Sequence, residues 1–149
     1  MTRVLFVCTG NTCRSPMAEA ILKSKNIPGL EVKSAGIYAF NGADASENTK
    51  RVLDELGLMN HHQATQLNET LVNWTSYILT MTESHRDVIV NTFPNAVEKT
   101  FTLKEFAGAV GDNDIIDPFG GPIELYRSTF NEMNEVISKL IIRLQSEKA

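Results

Sequence analysis

Four consecutive apolar residues, Val4-Leu5-Phe6-Val7, run straight into Cys8-Thr9-Gly10-Asn11-Thr12-Cys13-Arg14-Ser15-Pro16, and this junction limits the folds open to the chain. A short apolar run bounded by turn residues reads as a buried strand. Pro16 suits the first position of a helix, where its fixed φ is favourable and its missing N–H is not needed. The order is therefore strand, tight loop, helix. The loop carries a thiol at its start and a guanidinium six positions on, with Gly10 where the backbone is expected to need positive φ. Successive N–H groups in such a turn form a concavity for an anion, and the following helix N-terminus adds unpaired donors and partial positive charge. Arg14 can add a bidentate fork for two phosphoryl oxygens.

The chemistry expected of Cys8 follows from that setting. A thiol among aimed N–H groups, a helix N-terminus and a guanidinium is favoured as the thiolate, which is its nucleophilic form. A phosphoryl group held in the same cradle has its phosphorus near the sulfur. In-line attack then gives a phosphocysteine intermediate, and the donors stabilise the equatorial oxygens of the transition state. Cys8 is thus the candidate nucleophile and Arg14 the phosphate clamp, with Thr9, Gly10, Asn11, Thr12 and Cys13 as the phosphate-binding loop.

Cys8 through Ser15 resembles the signature loop of the low-molecular-weight protein tyrosine phosphatases: a Cys, five residues, Arg, then Ser or Thr. The family's second hallmark, a late Asp-Pro, has its counterpart in Asp117-Pro118. Ser34-Ala35-Gly36 and Asp117-Pro118-Phe119-Gly120-Gly121 make the chain similar, more narrowly, to the bacterial protein arginine phosphatase branch. The resemblance implies that the Ser15 hydroxyl bonds the Cys8 sulfur and stabilises it as a leaving group, and that Asn11 braces the loop. It also implies that Tyr38 and Phe119 line the entrance. Asp117 is carried over as general acid and base, because the departing group needs a proton and the water attacking phosphocysteine must lose one. Asp112 and Asp114 are expected to have surface roles.

Thr12 bears on the substrate. The resemblance places a larger aliphatic residue here in tyrosine-directed enzymes and Thr in the arginine branch. A small hydroxylated residue leaves room and a polar contact for a phosphoguanidinium, which an aliphatic side chain would desolvate without compensation. The expected activity is removal of phosphate from phosphoarginine residues of proteins, with phosphotyrosine hydrolysis by the same mechanism as the alternative. Arsenate reduction of the thioredoxin-coupled kind needs a further cysteine pair beyond Cys8 and Cys13. A phosphoprotein-binding module would not need Cys8, Arg14 and Asp117 together. The resemblance further implies a role in stress response, opposing a protein arginine kinase. No metal or other cofactor is expected. Cys13 reads as loop filler, redox partner of Cys8 or part of a reductase relay, and a reversible disulfide with Cys8 would protect the thiolate from over-oxidation.

Composition narrows the setting. With 149 residues the chain suits one domain spanning 1–149, and 14 basic against 18 acidic residues give a net charge of -4 and a pI near 5.4. That balance argues against nucleic acid as a general partner. The absence of a long apolar run or leader-like segment argues against a membrane, and two cysteines in one loop suit a reduced, cytoplasmic compartment. His61, His62 and His85 show no zinc or triad spacing and are expected to have surface or packing roles, and Trp74 and the methionines to be core.

The remaining pattern predicts a helix from Pro16 to about Lys25 and a half-buried strand over Leu30–Ser34 that leaves as a loop through Tyr38. A Ser46-capped helix over 47–56 follows, and then a polar connection over 61–67 with at most a short edge strand. Further on come a helix over 68–74, a strand over 77–81, a Thr82-capped helix to Phe93, a strand over 97–103 and a helical turn over 104–106. After a loop over 108–121, an amphipathic helix runs from Ile123 to Gln145, its face drawn from Tyr126, Phe130, Met133, Val136, Ile137, Leu140, Ile141 and Leu144. Alternating strands and helices predict an α/β fold, a four-stranded parallel sheet with helices on both faces, Rossmann or flavodoxin-like. Ligands bind such sheets beyond the carboxyl ends of the strands, where Cys8 falls.

Overall fold

In the computed structural model, which describes residues 1–58 and 61–147, the first strand β1 (Thr2–Cys8) lies inside a four-stranded parallel sheet. Its neighbours are β2 (Leu30–Gly36) and β3 (Tyr77–Thr80), and β4 (Thr100–Thr102) is the far edge beyond β3. Side chains alternate across a strand, so Val4, Phe6 and Cys8 enter one core while Leu5 and Val7 enter the other. The larger core receives α1 (Arg14–Ser24), α2 (Glu47–Glu55), α5 (Leu103–Ala107) and α6 (Ile123–Glu147). The smaller one is closed by Val72 of α3 (Glu69–Trp74) and Ile89 of α4 (Glu83–Thr92). A strand covered on both faces has no polar positions to offer, and hence Val4 to Val7 is continuously apolar. This is the single-domain α/β sheet with helices on both faces that the pattern predicts.

Helix starts follow local chemistry. Ser46 and Thr82 cap α2 and α4 as expected, their hydroxyls accepting from the N–H groups of Thr49 and His85. The Asn68 amide oxygen and the Thr102 hydroxyl accept from Leu71 and Glu105 N–H at the starts of α3 and α5. The expected stripe of α6 is buried from Tyr126 to Leu144, with Ile141 at its margin.

Several boundaries move, each for a physical reason. α1 begins at Arg14, so Pro16 occupies the third helical position rather than the first. It is tolerated there because the first four N–H groups of a helix lack intrahelical partners anyway. β2 runs on through Ala35 and Gly36, which pair with Val7 and Cys8, so the chain leaves the sheet two residues later than expected. Of the strand expected over 97–103 only Thr100–Thr102 is extended. Pro94–Lys99 forms a 3-10 turn that buries Ala96 and lets the Thr100 hydroxyl donate to the Ala96 carbonyl at 2.8 Å. The connection over 61–67 makes two isolated bridges, Gly36 to Gln66 and Asp44 to Gln63. Trp74 is half-buried at the edge of the smaller core, with the Lys33 ammonium 4.4 Å from its ring centroid. Met17, Met81 and Met133 are core as expected, but Met1 is exposed and Met59 lies outside the described residues. Among the described residues no helix is long and apolar enough to cross a membrane.

Candidate active site

The segment from Cys8 to Arg14 turns its carbonyls away from the space it encloses. The Cys8 and Thr9 carbonyls accept from the N–H groups of Ile37 and Tyr38 at 3.0 and 2.9 Å, and the Thr12 carbonyl accepts from Ser46 N–H at 2.9 Å. The Asn11 carbonyl accepts from His62 Nε2 at 2.6 Å. With these acceptors occupied by the surrounding chain, the N–H groups of Gly10 to Arg14 find no protein acceptor among the described residues. Such a row of unpaired donors ahead of a helix is a receptor for an oxyanion.

Positive φ in this loop falls on Asn11, at 58°, and not on Gly10 as expected. Asparagine tolerates the left-handed region better than most residues, and here its amide is bonded on every side. Nδ2 donates to Ser15 Oγ at 2.8 Å and to Ser34 Oγ at 3.0 Å, while Oδ1 accepts from Thr65 N–H at 2.9 Å. Ser34 in turn donates to Glu19 Oε1, and that carboxylate oxygen lies 3.8 Å from His62 Nδ1. Gly36 closes the back of the loop: a Cβ there would stand 2.5 Å from the Thr9 carbonyl oxygen and 2.9 Å from the Asn11 nitrogen. Only a residue without a side chain allows that approach.

Cys8 Sγ lies 2.9 Å from Ser15 Oγ. Ser15 Oγ accepts from Asn11 Nδ2 and lies 3.5 Å from the Ala35 carbonyl, so against a Cys8 thiolate, which can only accept, its hydroxyl hydrogen turns to the sulfur at 2.9 Å rather than to the longer carbonyl contact. Arg14 is almost wholly buried. Its Nη1 donates to the Ile115 carbonyl at 2.9 Å, and its Nη2 lies 3.6 Å from Asp117 Oδ2. The other Asp117 oxygen accepts from Phe119 N–H at 3.0 Å, leaving the carboxylate half-exposed at the rim. A pocket of about 210 Å³ is lined by Cys8, Thr9, Gly10, Thr12, Cys13 and Arg14 on one side and by Asp117 and Phe119 on the other.

The expected site residues thus divide. Thr12 lines the pocket, and among the described residues its hydroxyl has only a 3.8 Å contact to the Cys13 sulfur. Asn11 and Ser15 sit behind the loop. Tyr38 is not among the residues lining the pocket; it is 73% exposed, and its backbone N–H bonds the Thr9 carbonyl. Cys8 and Cys13 are both free thiols. Cys13 Sγ lies 3.4 Å from Ser46 Oγ and 3.5 Å from the Tyr126 hydroxyl, whose phenol is pushed above its ordinary pKa by burial and then by its bond to Cys13. Asp114 serves α4, accepting from Glu83 N–H at its N-terminus.

Two histidines expected to have only surface or packing roles reach the loop: His62 through the Asn11 carbonyl, and His85 through the Thr9 hydroxyl. His61 is exposed. Neither His62 nor His85 lies near the loop in sequence, and no spacing rule could have found them. Ser34 and Gly36 were visible as part of Ser34-Ala35-Gly36, but their task as brace and close-approach point was not.

An open parallel sheet with a cysteine, an arginine and a row of free N–H groups beyond its first strand defines a phosphoryl-binding α/β protein. The model of the low molecular weight phosphotyrosine protein phosphatases matches residues 3–149, and the chain belongs to that family. It is 51% identical to a protein-arginine-phosphatase of Geobacillus stearothermophilus, over 98% of both chains. It is 40% identical to the low molecular weight protein-tyrosine-phosphatase PtpB of Staphylococcus haemolyticus, over 93% of this chain and 96% of the relative. The solved YwlE arginine phosphatase from Geobacillus stearothermophilus superposes with a TM-score of 0.95 at 51% identity, covering 99% of this chain and 96% of that one.

Proposed function

We propose that the chain is a protein arginine phosphatase that works through a phosphocysteine at Cys8. The observation that carries the substrate assignment is Thr12: among the described residues its hydroxyl has no hydrogen-bond partner nearer than the Cys13 sulfur at 3.8 Å, and it lines the same pocket as the half-exposed Asp117. A phosphoguanidinium entering this space meets a hydroxyl and the Asp117 carboxyl group, whose oxygens can accept from its N–H groups. A relative 51% identical over 98% of both chains carries the arginine name.

The reaction divides among the residues as follows. The free N–H groups and Arg14 hold the phosphoryl oxygens, and the Cys8 thiolate attacks phosphorus in line with the leaving nitrogen. Asp117, entering as the carboxylic acid, protonates that nitrogen as the P–N bond breaks and is left as the carboxylate. It then takes a proton from the water that attacks phosphocysteine, and the departing sulfur is stabilised by the Ser15 hydroxyl. Phe119, 73% exposed at the rim, offers a face to the substrate side chain. Cys13 is proposed as the redox partner of Cys8, and peroxide treatment followed by mass spectrometry should show the Cys8–Cys13 disulfide.

The substrate assignment is tested by comparing kcat/KM for phosphoarginine and phosphotyrosine peptides with the intact chain, Cys8→Ser and Thr12→Ile. Phosphoarginine is expected to be strongly preferred, Cys8→Ser inactive by roughly 10⁴-fold or more, and Thr12→Ile shifted toward phosphotyrosine. A preference for phosphotyrosine in the intact chain would leave the nucleophile in place and overturn the substrate.

A further inference from the structure

His85 is 5% exposed, and it approaches the loop from beneath: its Nε2 lies 2.9 Å from Thr9 Oγ1. The other ring nitrogen, Nδ1, is the one buried side-chain nitrogen or oxygen without a hydrogen-bond partner among the described residues. Those two facts decide where the proton sits. A buried N–H without an acceptor is rarer in folded proteins than a buried bare acceptor without a donor. The proton therefore belongs on Nε2, Nδ1 keeps its lone pair, and Nε2–H donates to the Thr9 hydroxyl oxygen. The ring is also held neutral: burial first, and Arg14 next, push its pKa down to about 4, against an upward pull from Asp117 and Asp114.

The consequence falls on Thr9, which lines the pocket. Its hydroxyl has one hydrogen, and with the oxygen accepting from His85 that hydrogen has no protein acceptor among the described residues. We propose that His85 is a positioning residue for the phosphatase reaction: by donating to Thr9 Oγ1 it fixes the Thr9 hydroxyl as a hydrogen-bond donor to a phosphoryl oxygen held above Cys8. The inference rests on the phosphocysteine reading of the site but not on the arginine preference. It adds a side-chain donor to the row of backbone donors, one set by a residue on α4 far away in sequence.

The test uses para-nitrophenyl phosphate as substrate and orthovanadate as a competing phosphoryl mimic, with Thr9→Val, His85→Phe, the double variant, and the conservative Thr9→Ser and His85→Gln. Thr9→Val and His85→Phe should each lower kcat/KM roughly ten- to hundredfold, the scale of one charge-assisted hydrogen bond. Each should weaken vanadate inhibition by a similar factor, and the double variant should be no worse than the poorer single one. Thr9→Ser and His85→Gln, which keep the donor chain, should recover most of the loss. A packing role alone would lower the active fraction and the melting temperature while leaving KM and the vanadate constant of the folded molecules unchanged. That result, or Thr9→Val within about twofold of the intact chain, or losses that multiply in the double variant, would overturn the proposal. Should His85→Phe not fold, His85→Leu, which also removes the donor, takes its place alone and with Thr9→Val. An intact chain that hydrolyses nothing would instead point to failure of the phosphatase reading itself.

Discussion

The two sides of the pocket are built differently. On one side the segment from Cys8 to Arg14 is fastened from every direction: by Ile37 and Tyr38 beyond β2, by Ser46 ahead of α2, by His62 and Thr65 in the connection after it, and by His85 on α4. On the other side the loop carrying Asp117 and Phe119 is mostly exposed. It is held by Arg14 through the Ile115 carbonyl, by Asp114 at the start of α4, and by an Asn48 contact to the Gly121 carbonyl. Preorganised donors stabilise a transition state only if they need no rearrangement when charge develops, which calls for the first kind of construction. A residue that gives and takes a proton, and must meet water in the second step, is served by the second kind.

The contrast can be broken at either side. Asp117→Asn removes the proposed proton relay but touches little packing, since the carboxylate is half-exposed. Its kcat should fall by about 10²- to 10⁴-fold with a melting temperature close to that of the intact chain. Stopped-flow and calorimetry on the same sample would check both, and a large fall in melting temperature would show that the exposed loop also holds the fold together. Asn11→Ala attacks the other side. Three hydrogen bonds and a left-handed backbone position depend on that side chain, so stability should fall by about 2–4 kcal/mol in urea titration, together with activity. Activity lost without stability would mean that the loop is less tightly built in than its bonds imply.

A smaller effect should appear as a dependence on pH. The ordinary pKa of histidine, 6.5, is lowered to about 4 at His85 in the fold, so below about 6.5 the unfolded chain gains a proton that the folded chain refuses. Stability contributed by the neutral ring is full above 6.5 and is lost progressively as pH falls toward 4. Melting temperatures at pH 7 and pH 5 should therefore differ more for the intact chain than for His85→Gln, and equal differences would contradict the assignment.

Much of this molecule is local in origin and therefore legible in the chain itself. The apolar run of β1, the hydroxyl caps Ser46 and Thr82, the apolar stripe of α6 and the spacing of Cys8 to Arg14 each depend on residues a few positions apart, and periodicity and cap chemistry suffice to read them. Where the reading slipped, a distant partner had decided. Gly36 stays in the sheet because Cys8 pairs with it. Residues 94–99 coil because Ala96 finds a place in the smaller core. Asn11 rather than Gly10 takes the left-handed turn because Ser15, Ser34 and Thr65 converge on its amide. His62 and His85 carry no mark in the sequence, since a histidine acquires its tautomer, its charge and its partner only from what surrounds it. The sequence by itself determined the sheet and the candidates for nucleophile, clamp and acid, because those are set by pattern and spacing. Tertiary structure decided which atoms brace the loop and which donors face the pocket, because hydrogen bonds between residues from 23 to 76 positions apart are satisfied only after the chain has folded.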